Sequence, residues 1–293
     1  MYERLEECPV CKHPVYKNFM ICKDYLVSDE SFAIVKCGKC ELLYTNPRPV
    51  PDQLSKYYQS ADYISHANKS TNLINILYKL ARQFTIRKKY GIIKKYQPTG
   101  SILDYGCGTG HLLQHFKKKG WQTSGIEPDE KARAIGENDH QLNVYPNLKK
   151  LPKESQFDVI MLWHVMEHIS DLKKTARQLT RLLTDKGTLF IAVPNHESFD
   201  AKYYGEKWAG YDVPRHLYHF NQTNIKTLFQ KMKVKLVETI PMKLDAFYVS
   251  LLSEKNSGKG TNFLKAFQMG LKSNKLAKQN ANNYSSLIYV VKK

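Results

Sequence analysis

The stretch Ile102-Leu103-Asp104-Tyr105-Gly106-Cys107-Gly108-Thr109-Gly110 constrains this chain more than any other part of it. A short apolar run suited to a strand leads into three alternating glycines, and a helical pattern follows over 109–119. Glycine lets the backbone turn sharply and leaves space where a Cβ would block a ligand. The next strand pattern, 122–126, ends on Glu127, 21 positions after Gly106. A carboxylate there can accept both hydroxyls of a ribose, as in nucleoside-binding α/β folds. Alternation continues with a helix over 129–137, a weak strand at Val144, an apolar strand over 157–163 and a helix over 172–183. Strands over 188–193, 234–240 and 286–291 and a helix over 225–231 complete the pattern. Such order predicts a largely parallel sheet with helices on both faces. Residues 195–220 and 242–283 read as insertions.

The glycine spacing separates two ligand classes. A dinucleotide fingerprint spaces its glycines G-x-G-x-x-G to seat a pyrophosphate on a helix N-terminus. Here Asp104 stands two residues before Gly106, and that carboxylate suits a cation and repels a diphosphate. With Gly125-Ile126-Glu127-Pro128, Phe157-Asp158-Val159-Ile160 and Gly187-Thr188-Leu189-Phe190-Ile191, the chain from about residue 100 to 293 resembles the class I S-adenosylmethionine-dependent methyltransferases. The resemblance implies an α/β fold with a Rossmann-like seven-stranded sheet. It implies that Asp104, Gly106, Cys107, Gly108 and Gly110 border the methionine part of S-adenosylmethionine. Glu127 would bind the ribose, and Pro128 and Trp163 would line the same site. Cys107 reads as a small packing residue of the loop. The region where relatives carry an adenine contact is Pro146-Asn147-Leu148 here, and no such contact can be assigned.

The first 45 residues hold two Cys-x₂-Cys pairs, Cys8/Cys11 and Cys37/Cys40, separated by 25 residues. A two-residue gap lets one turn offer two thiolates, and four thiolates satisfy tetrahedral zinc. The interval accommodates a pair of strands. These residues predict a structural zinc ribbon, with Cys22 and His13 outside the ligand set. A module this small draws its folding energy from the metal, so its loss is expected to unfold the module and spare the rest. The domain reading is a ribbon over 1–45, a helical linker or cap over 46–99 and the methyltransferase domain over 100–293. In the linker, Asn46-Pro47-Arg48-Pro49-Val50-Pro51 ends the ribbon. Leu73, Ile76, Leu77, Leu80 and Phe84 fall on one face of a helix from about residue 71, broken by Gly91 and Pro98.

The formal net charge is +18. It concentrates in 46–100 and 255–293, each +8, while 1–45 carries −1 and 101–254 carries +3. The excess suits an anionic partner or simply a lysine-rich surface. Nucleic acid is disfavoured because the cysteine region has almost no net charge and lacks aromatics interleaved with Lys and Arg. No apolar run is long enough for a membrane span, and the acidic start is unlike a signal peptide, which predicts a cytoplasmic protein with reduced cysteines.

Two clusters carry the acid–base chemistry. In Trp163-His164-Val165-Met166-Glu167-His168, a helical turn from Val165 would put His164, Glu167 and His168 on one face. The Glu-His pair resembles a segment of the ubiquinone-pathway O-methyltransferases. Some relatives hold a divalent metal there, which makes a second divalent metal a candidate cofactor, but they carry an additional Glu where this chain has His164, and that departure counts against it. The alternative is that the pair merely anchors the turn. The second cluster lies in Trp208-Ala209-Gly210-Tyr211-Asp212-Val213-Pro214-Arg215-His216-Leu217-Tyr218-His219-Phe220. There the aromatics offer a substrate wall, Arg215 an anion contact and His216 a general base. Alternatively, Leu217 and Phe220 pack under the domain and His219 faces solvent. The leading expectation is methyl transfer to a small acceptor such as a sugar, metabolite or natural-product intermediate, the basic flanks favouring an anionic one; an RNA methyltransferase whose zinc ribbon binds RNA and a non-catalytic S-adenosylmethionine-binding module stand as alternatives.

Overall fold

The computed structural model describes residues 1–58, 73–258, 260 and 262–293, and of 73–81 the backbone alone. Two compact units divide it. One comprises Met1–Ile64, His164–Arg177 and Ile191–Val290, the other Ser65–Trp163, Gln178–Phe190 and Val291–Lys293.

The N-terminal strands are β1 (Tyr2–Glu3), β2 (Tyr16–Lys23), β3 (Ser31–Cys37), β4 (Leu43–Thr45) and β5 (Arg48–Pro49). Those of the later chain are β6 (Ser101–Tyr105), β7 (Gln122–Ile126), β8 (Asn143–Tyr145), β9 (Phe157–Trp163), β10 (Leu183–Pro194), β11 (Tyr218–His219), β12 (Lys235–Pro241) and β13 (Ser286–Lys292). A seven-stranded sheet has the order β12-β13-β10-β9-β6-β7-β8. Numbered by their own order along the chain, its strands run 6-7-5-4-1-2-3. The β6–β7, β6–β9 and β7–β8 pairs are parallel. Buried Val159 to Leu162 show why β9 is central: a strand covered on both faces needs apolar residues at successive positions.

The helices are α1 (Pro51–Leu54), α2 (Leu73–Lys94), α3 (His111–Lys118), α4 (Glu130–Asn138), α5 (Leu172–Arg181), α6 (Phe199–Tyr204), α7 (Gln222–Phe229), α8 (Asp245–Asn256) and α9 (Phe263–Gln279). In α5, Leu172, Thr175, Ala176, Leu179 and Thr180 are buried at helical spacing, so one stripe faces the core. Gly91 lies inside α2 and does not break it: its Cβ position meets open space, and a single glycine costs a helix only about 1 kcal/mol. Phe84 of that helix is exposed. The side chains of Leu73, Ile76, Leu77 and Leu80 lie outside the described residues.

The cysteine interval holds β2 and β3, paired antiparallel. These strands join β4 and β11 in a four-stranded sheet of order β11-β4-β3-β2. Tyr218 pairs with Tyr44 and His219 with Leu43, so the 195–220 insertion completes the N-terminal sheet. Cys22, Phe32, Ile34, Leu43 and Tyr57 share one hydrophobic cluster with Trp208, Tyr211, Val213 and Met269. Among the described residues the ribbon strands therefore share their core with the later chain, which argues against the expectation that the module unfolds alone. Its small size suggested a module folded by its metal; the core partners come from far along the chain.

Candidate functional site

In the glycine loop, Gly106, Gly108 and Gly110 all have positive φ, at 82°, 53° and 79°. Side chains are strained in that region, so the alternation in sequence is a backbone requirement. The Gly106 and Cys107 amides both donate to the Ile126 carbonyl, at 2.8 and 3.0 Å, folding the loop over the end of β7. Gly110 caps α3, and a Cβ on it would come within 2.5 Å of Leu142 Cδ1. A Cβ on Gly108 would meet no atom within 4 Å, which leaves the approach above the loop open.

Glu127 is fixed by its neighbours. Its Oε2 accepts from the Gly108 amide at 2.8 Å and its Oε1 from the Asp129 amide at 2.9 Å. Pro128 precedes Asp129, whose side chain caps α4 by accepting from Ala132 N. Burial raises the Glu127 pKa, while those two amides act against the rise. Asp104 is almost wholly buried, and burial lifts it to about 7 against the pull of Lys89. Trp163, at the end of β9, lies under the Lys89 ammonium, 4.5 Å from the ring centroid. Asp104, Gly106, Cys107, Gly108, Gly110, Glu127, Pro128 and Trp163 all belong to the same unit. A carboxyl near neutrality beside an open glycine loop suits a cationic ligand.

In the other unit, a 3₁₀ turn over Met166–His168 replaces the expected helical face, and His164 precedes it at φ 56°. His164 Nδ1 stands 3.5 Å from Glu167 Oε1, and its Nε2 3.1 Å from Asp245 Oδ2. Burial would lower this histidine, but Asp245 and Glu167 prevail and raise it to about 9. His164 is therefore held as a cation at neutral pH. Asp245, on α8, is a partner that no sequence pattern signals.

His216 and His168 converge on Glu167. His216 Nδ1 donates to the Gly210 carbonyl at 2.9 Å, and His168 Nδ1 to the Arg215 carbonyl at 3.0 Å. A carbonyl only accepts, so each ring carries its proton on Nδ1 and keeps Nε2 as the basic atom when neutral. Tyr58 Oη is also 3.0 Å from His168 Nδ1. The two rings meet edge to face at 4.6 Å. His216 Nε2 lies 4.0 Å from Glu167 Oε1 and 3.9 Å from Asp212 Oδ2. Burial and the charge of His216 lower His168 to about 4. Glu167 is fully buried, and among the described residues neither carboxylate oxygen has a hydrogen-bond partner. Burial pushes its pKa up, but His164, His216 and His168 outweigh it and keep Glu167 below the usual carboxylate value. Ligand atoms of Glu167, His168 and His216 lie within 4.8 Å of one another.

The rest of the second cluster behaves differently from its sequence reading. Arg215 is buried and fully engaged, so it is no open anion contact. It donates to Asp24 Oδ1 at 2.8 Å, to both Asp212 oxygens, and to the Tyr57 carbonyl at 2.8 Å. Trp208 and Tyr211 are core residues, and Trp208 Nε1 donates to Asp200 at 2.8 Å; they form no open wall. His219 is buried, with Nε2 3.3 Å from the Thr45 hydroxyl, and does not face solvent. Pairing with β4, the Asp24 ion pair and the shared hydrophobic cluster draw these side chains inward, where a local pattern of aromatics and charges had suggested a surface.

Sulfur atoms of Cys8, Cys11, Cys37 and Cys40 lie within 4.8 Å of one another, with Cys8–Cys40 and Cys11–Cys37 each at 3.5 Å. Thiolates at tetrahedral corners about 2.3 Å from zinc stand roughly 3.8 Å apart. The donor set and spacing therefore suit that ion. Cys22 is a packed thiol of the hydrophobic cluster, and burial raises it to about 12.

Comparison with known proteins agrees with the fold. Residues 79–239 match a family described as Methyltransferase domain, and the chain belongs to that family. Its class is that of the S-adenosylmethionine-dependent methyltransferases with a Rossmann-like sheet. An uncharacterized methyltransferase of Staphylococcus carnosus (strain TM300) is 28% identical over 152 residues, which cover 50% of this chain and 72% of that protein. A ubiquinone biosynthesis O-methyltransferase of Rhodopseudomonas palustris (strain TIE-1) is 26% identical over 39% of this chain and 48% of its own length. The chain thus spans about half the length of that second relative. Magnesium protoporphyrin IX methyltransferase from Synechocystis PCC 6803, solved with bound SAH, shares the fold. Its TM-score is 0.52 at 13% identity, over 81% of this chain and 96% of that one.

Proposed function

We propose that this chain moves a methyl group from S-adenosylmethionine to a small acceptor, and that His216 takes the acceptor's proton. The observation that carries the second part is the buried Glu167 carboxylate, unpaired by hydrogen bonds, beside a histidine whose Nε2 is left basic by the Gly210 carbonyl. When bound, S-adenosylmethionine supplies a methyl group already activated by its sulfonium. The Gly106–Gly110 backbone would hold its methionine part, Glu127 its ribose hydroxyls, and ionised Asp104 would favour its positive charge. A sulfonium donor leaves the protein mainly to align the acceptor and accept a proton. Glu167 would then stabilise the His216 imidazolium. Labelled methyl transfer into a fraction of small metabolites tests the reading; label found only in RNA would replace it with the RNA alternative, and binding without any labelled product with the non-catalytic one.

Asp104 adds a pH signature. Its carboxyl is neutral below about 7 and ionised above. Only the ionised form attracts a sulfonium, so affinity for S-adenosylmethionine should rise as pH climbs through 7, with proton release on binding. Calorimetry in buffers of different ionisation enthalpy measures both. A flat profile with no proton release would remove Asp104 from the cofactor site.

A second reading of the cluster rests on the same buried carboxylate. Two histidines whose Nδ1–H groups donate to carbonyls, with a carboxylate between them, form a donor set suited to a divalent metal. Glu167, His168 and His216 would hold that ion, and it would polarise an acceptor oxygen. Activity lost to a chelator and restored by a divalent ion, with zinc content at the cysteines unchanged, favours this reading over a general base.

We further propose that the four cysteines bind one structural zinc, supported by their spacing. Elemental analysis of freshly purified protein should find one zinc per chain, and Cys40→Ser should release it. Because β3 and β4 share their core with Trp208 and Tyr211, that variant should also lower the melting temperature of the whole unit. Metal-free protein with unchanged stability would defeat the zinc assignment.

A further inference from the structure

The outward face of α9 departs from what a surface helix carries. Ala266, Met269, Gly270, Ser273 and Ala277 are buried at helical spacing, so one stripe of α9 turns inward. Gly270 permits this close approach, since a Cβ on it would come within 2.5 Å of the Phe247 ring of α8. Polar residues are the rule on the opposite stripe. Instead Phe263, Leu264, Phe267 and Leu271 are 71, 68, 55 and 51% exposed. The same face continues into exposed Lys275 and Lys278, with Lys272 beside Leu271.

Aromatic and basic side chains also border the patch together. Lys265 Nζ stands 5.7 Å over the half-exposed Tyr203 ring and pairs with Glu254 at 2.9 Å; Lys272 Nζ stands 5.0 Å over Phe199. Lysine stems lying along apolar surface with their ammonium groups at its edge are the arrangement that snorkels to a water–lipid boundary. Tyr248 on α8 is also exposed.

We propose that this face of α9 docks on the surface of a bilayer rich in anionic lipid. Charge selects that occupant. Residues 255–293 contain eight lysines and neither Asp nor Glu, so a second copy brought to the same face would meet its own charge. An anionic bilayer answers both properties, taking Phe263, Leu264, Phe267 and Leu271 at the level of its headgroups and neutralising the lysines. Among the described residues no helix is long and apolar enough to cross a membrane, so the mode is lying on the surface. The proposal is independent of the methyl-transfer reading.

Sedimentation of the full chain with vesicles tests it. The chain should bind vesicles of phosphatidylcholine containing about 30% phosphatidylglycerol, bind pure phosphatidylcholine far less, and lose binding as salt rises. Phe263→Ser, Leu264→Ser, Phe267→Ser and Leu271→Ser combined should weaken partitioning by on the order of ten-fold or more. Lys272→Glu, Lys275→Glu and Lys278→Glu combined should abolish the preference for phosphatidylglycerol. Circular dichroism melts identify any variant that has lost its fold, and single serine substitutions then carry the comparison. Absence of binding to phosphatidylglycerol vesicles, or binding equal in the variants, overturns the proposal. So does a concentration-dependent dimer that the serine variant dissociates, which would make a second copy the occupant.

Discussion

His216→Ala is expected to lower turnover by about 10²–10⁴-fold while affinity for S-adenosylmethionine stays nearly unchanged, the usual scale of general-base catalysis. The asymmetry follows from where the residue stands. His216 lies in the unit that contains Glu167 and His168, whereas the glycine loop and Glu127 lie in the other. Its imidazole is aimed by the Gly210 carbonyl, and its own backbone is held from both sides: its amide donates to Asp212 O at 3.0 Å, and its carbonyl accepts from the Thr45 hydroxyl at 2.9 Å. Alanine leaves those backbone bonds in place but removes a buried ring and its bond to the Gly210 carbonyl, so the melting temperature should fall modestly while turnover falls far more. Steady-state kinetics beside cofactor calorimetry separates the two. A variant with full turnover would leave methyl transfer by alignment alone, and His216 would lose its proposed role.

Arg215→Met should be the most damaging single substitution for stability, at about 3–5 kcal/mol, because breaking a buried ion pair leaves an uncompensated charge. Arg215 and Asp24 are both almost fully buried. Asp24 accepts from Leu26 N, Ser28 N and Ser28 Oγ besides Arg215, so the guanidinium closes the β2–β3 turn against the loop that carries His216. Burial would raise the Asp24 pKa, but Arg215 and the Ser28 amide outweigh it and hold it below the usual carboxylate value. A depressed carboxylate contributes stability that is present above its unfolded pKa and lost as pH falls through the folded one. Acid unfolding should therefore begin below about pH 4 in the parent and at higher pH in Asp24→Asn, whose pair is already gone. Chemical denaturation across pH measures both; a loss under about 1 kcal/mol for Arg215→Met would show the pair to be dispensable.

Much of the unit that carries the glycine loop was legible because its signals are local. Strand β6, three positive-φ glycines and α3 follow one another within a few residues, and each glycine answers a backbone need at its own position. The same holds for β9, whose apolar run marks a strand covered on both faces, and for the two Cys-x₂-Cys turns, where adjacent thiols declare themselves by spacing. Boundaries were less secure: the helix expected to break at Gly91 runs on to Lys94, since one exposed glycine weakens a helix without ending it.

The second unit was legible only in its residue types. Glu167, His168 and His216 could be named from sequence as acid–base candidates, but nothing in the spacing says that the ligand atoms of three residues, two of them adjacent and one 48 positions on, lie within 4.8 Å. Nor does it say that Arg215 spends its charge on Asp24, 191 positions away, that Asp245 holds His164, or that Tyr218 and His219 form a strand beside β4. By itself the sequence determined the alternation of strands and helices, the glycine loop with its acidic partner, and the paired thiols, because each depends on neighbours within a turn or two. The tertiary structure alone decided which polar groups are buried, which are paired and which stay unsatisfied, because those properties belong to contacts between segments that the chain's local pattern does not encode.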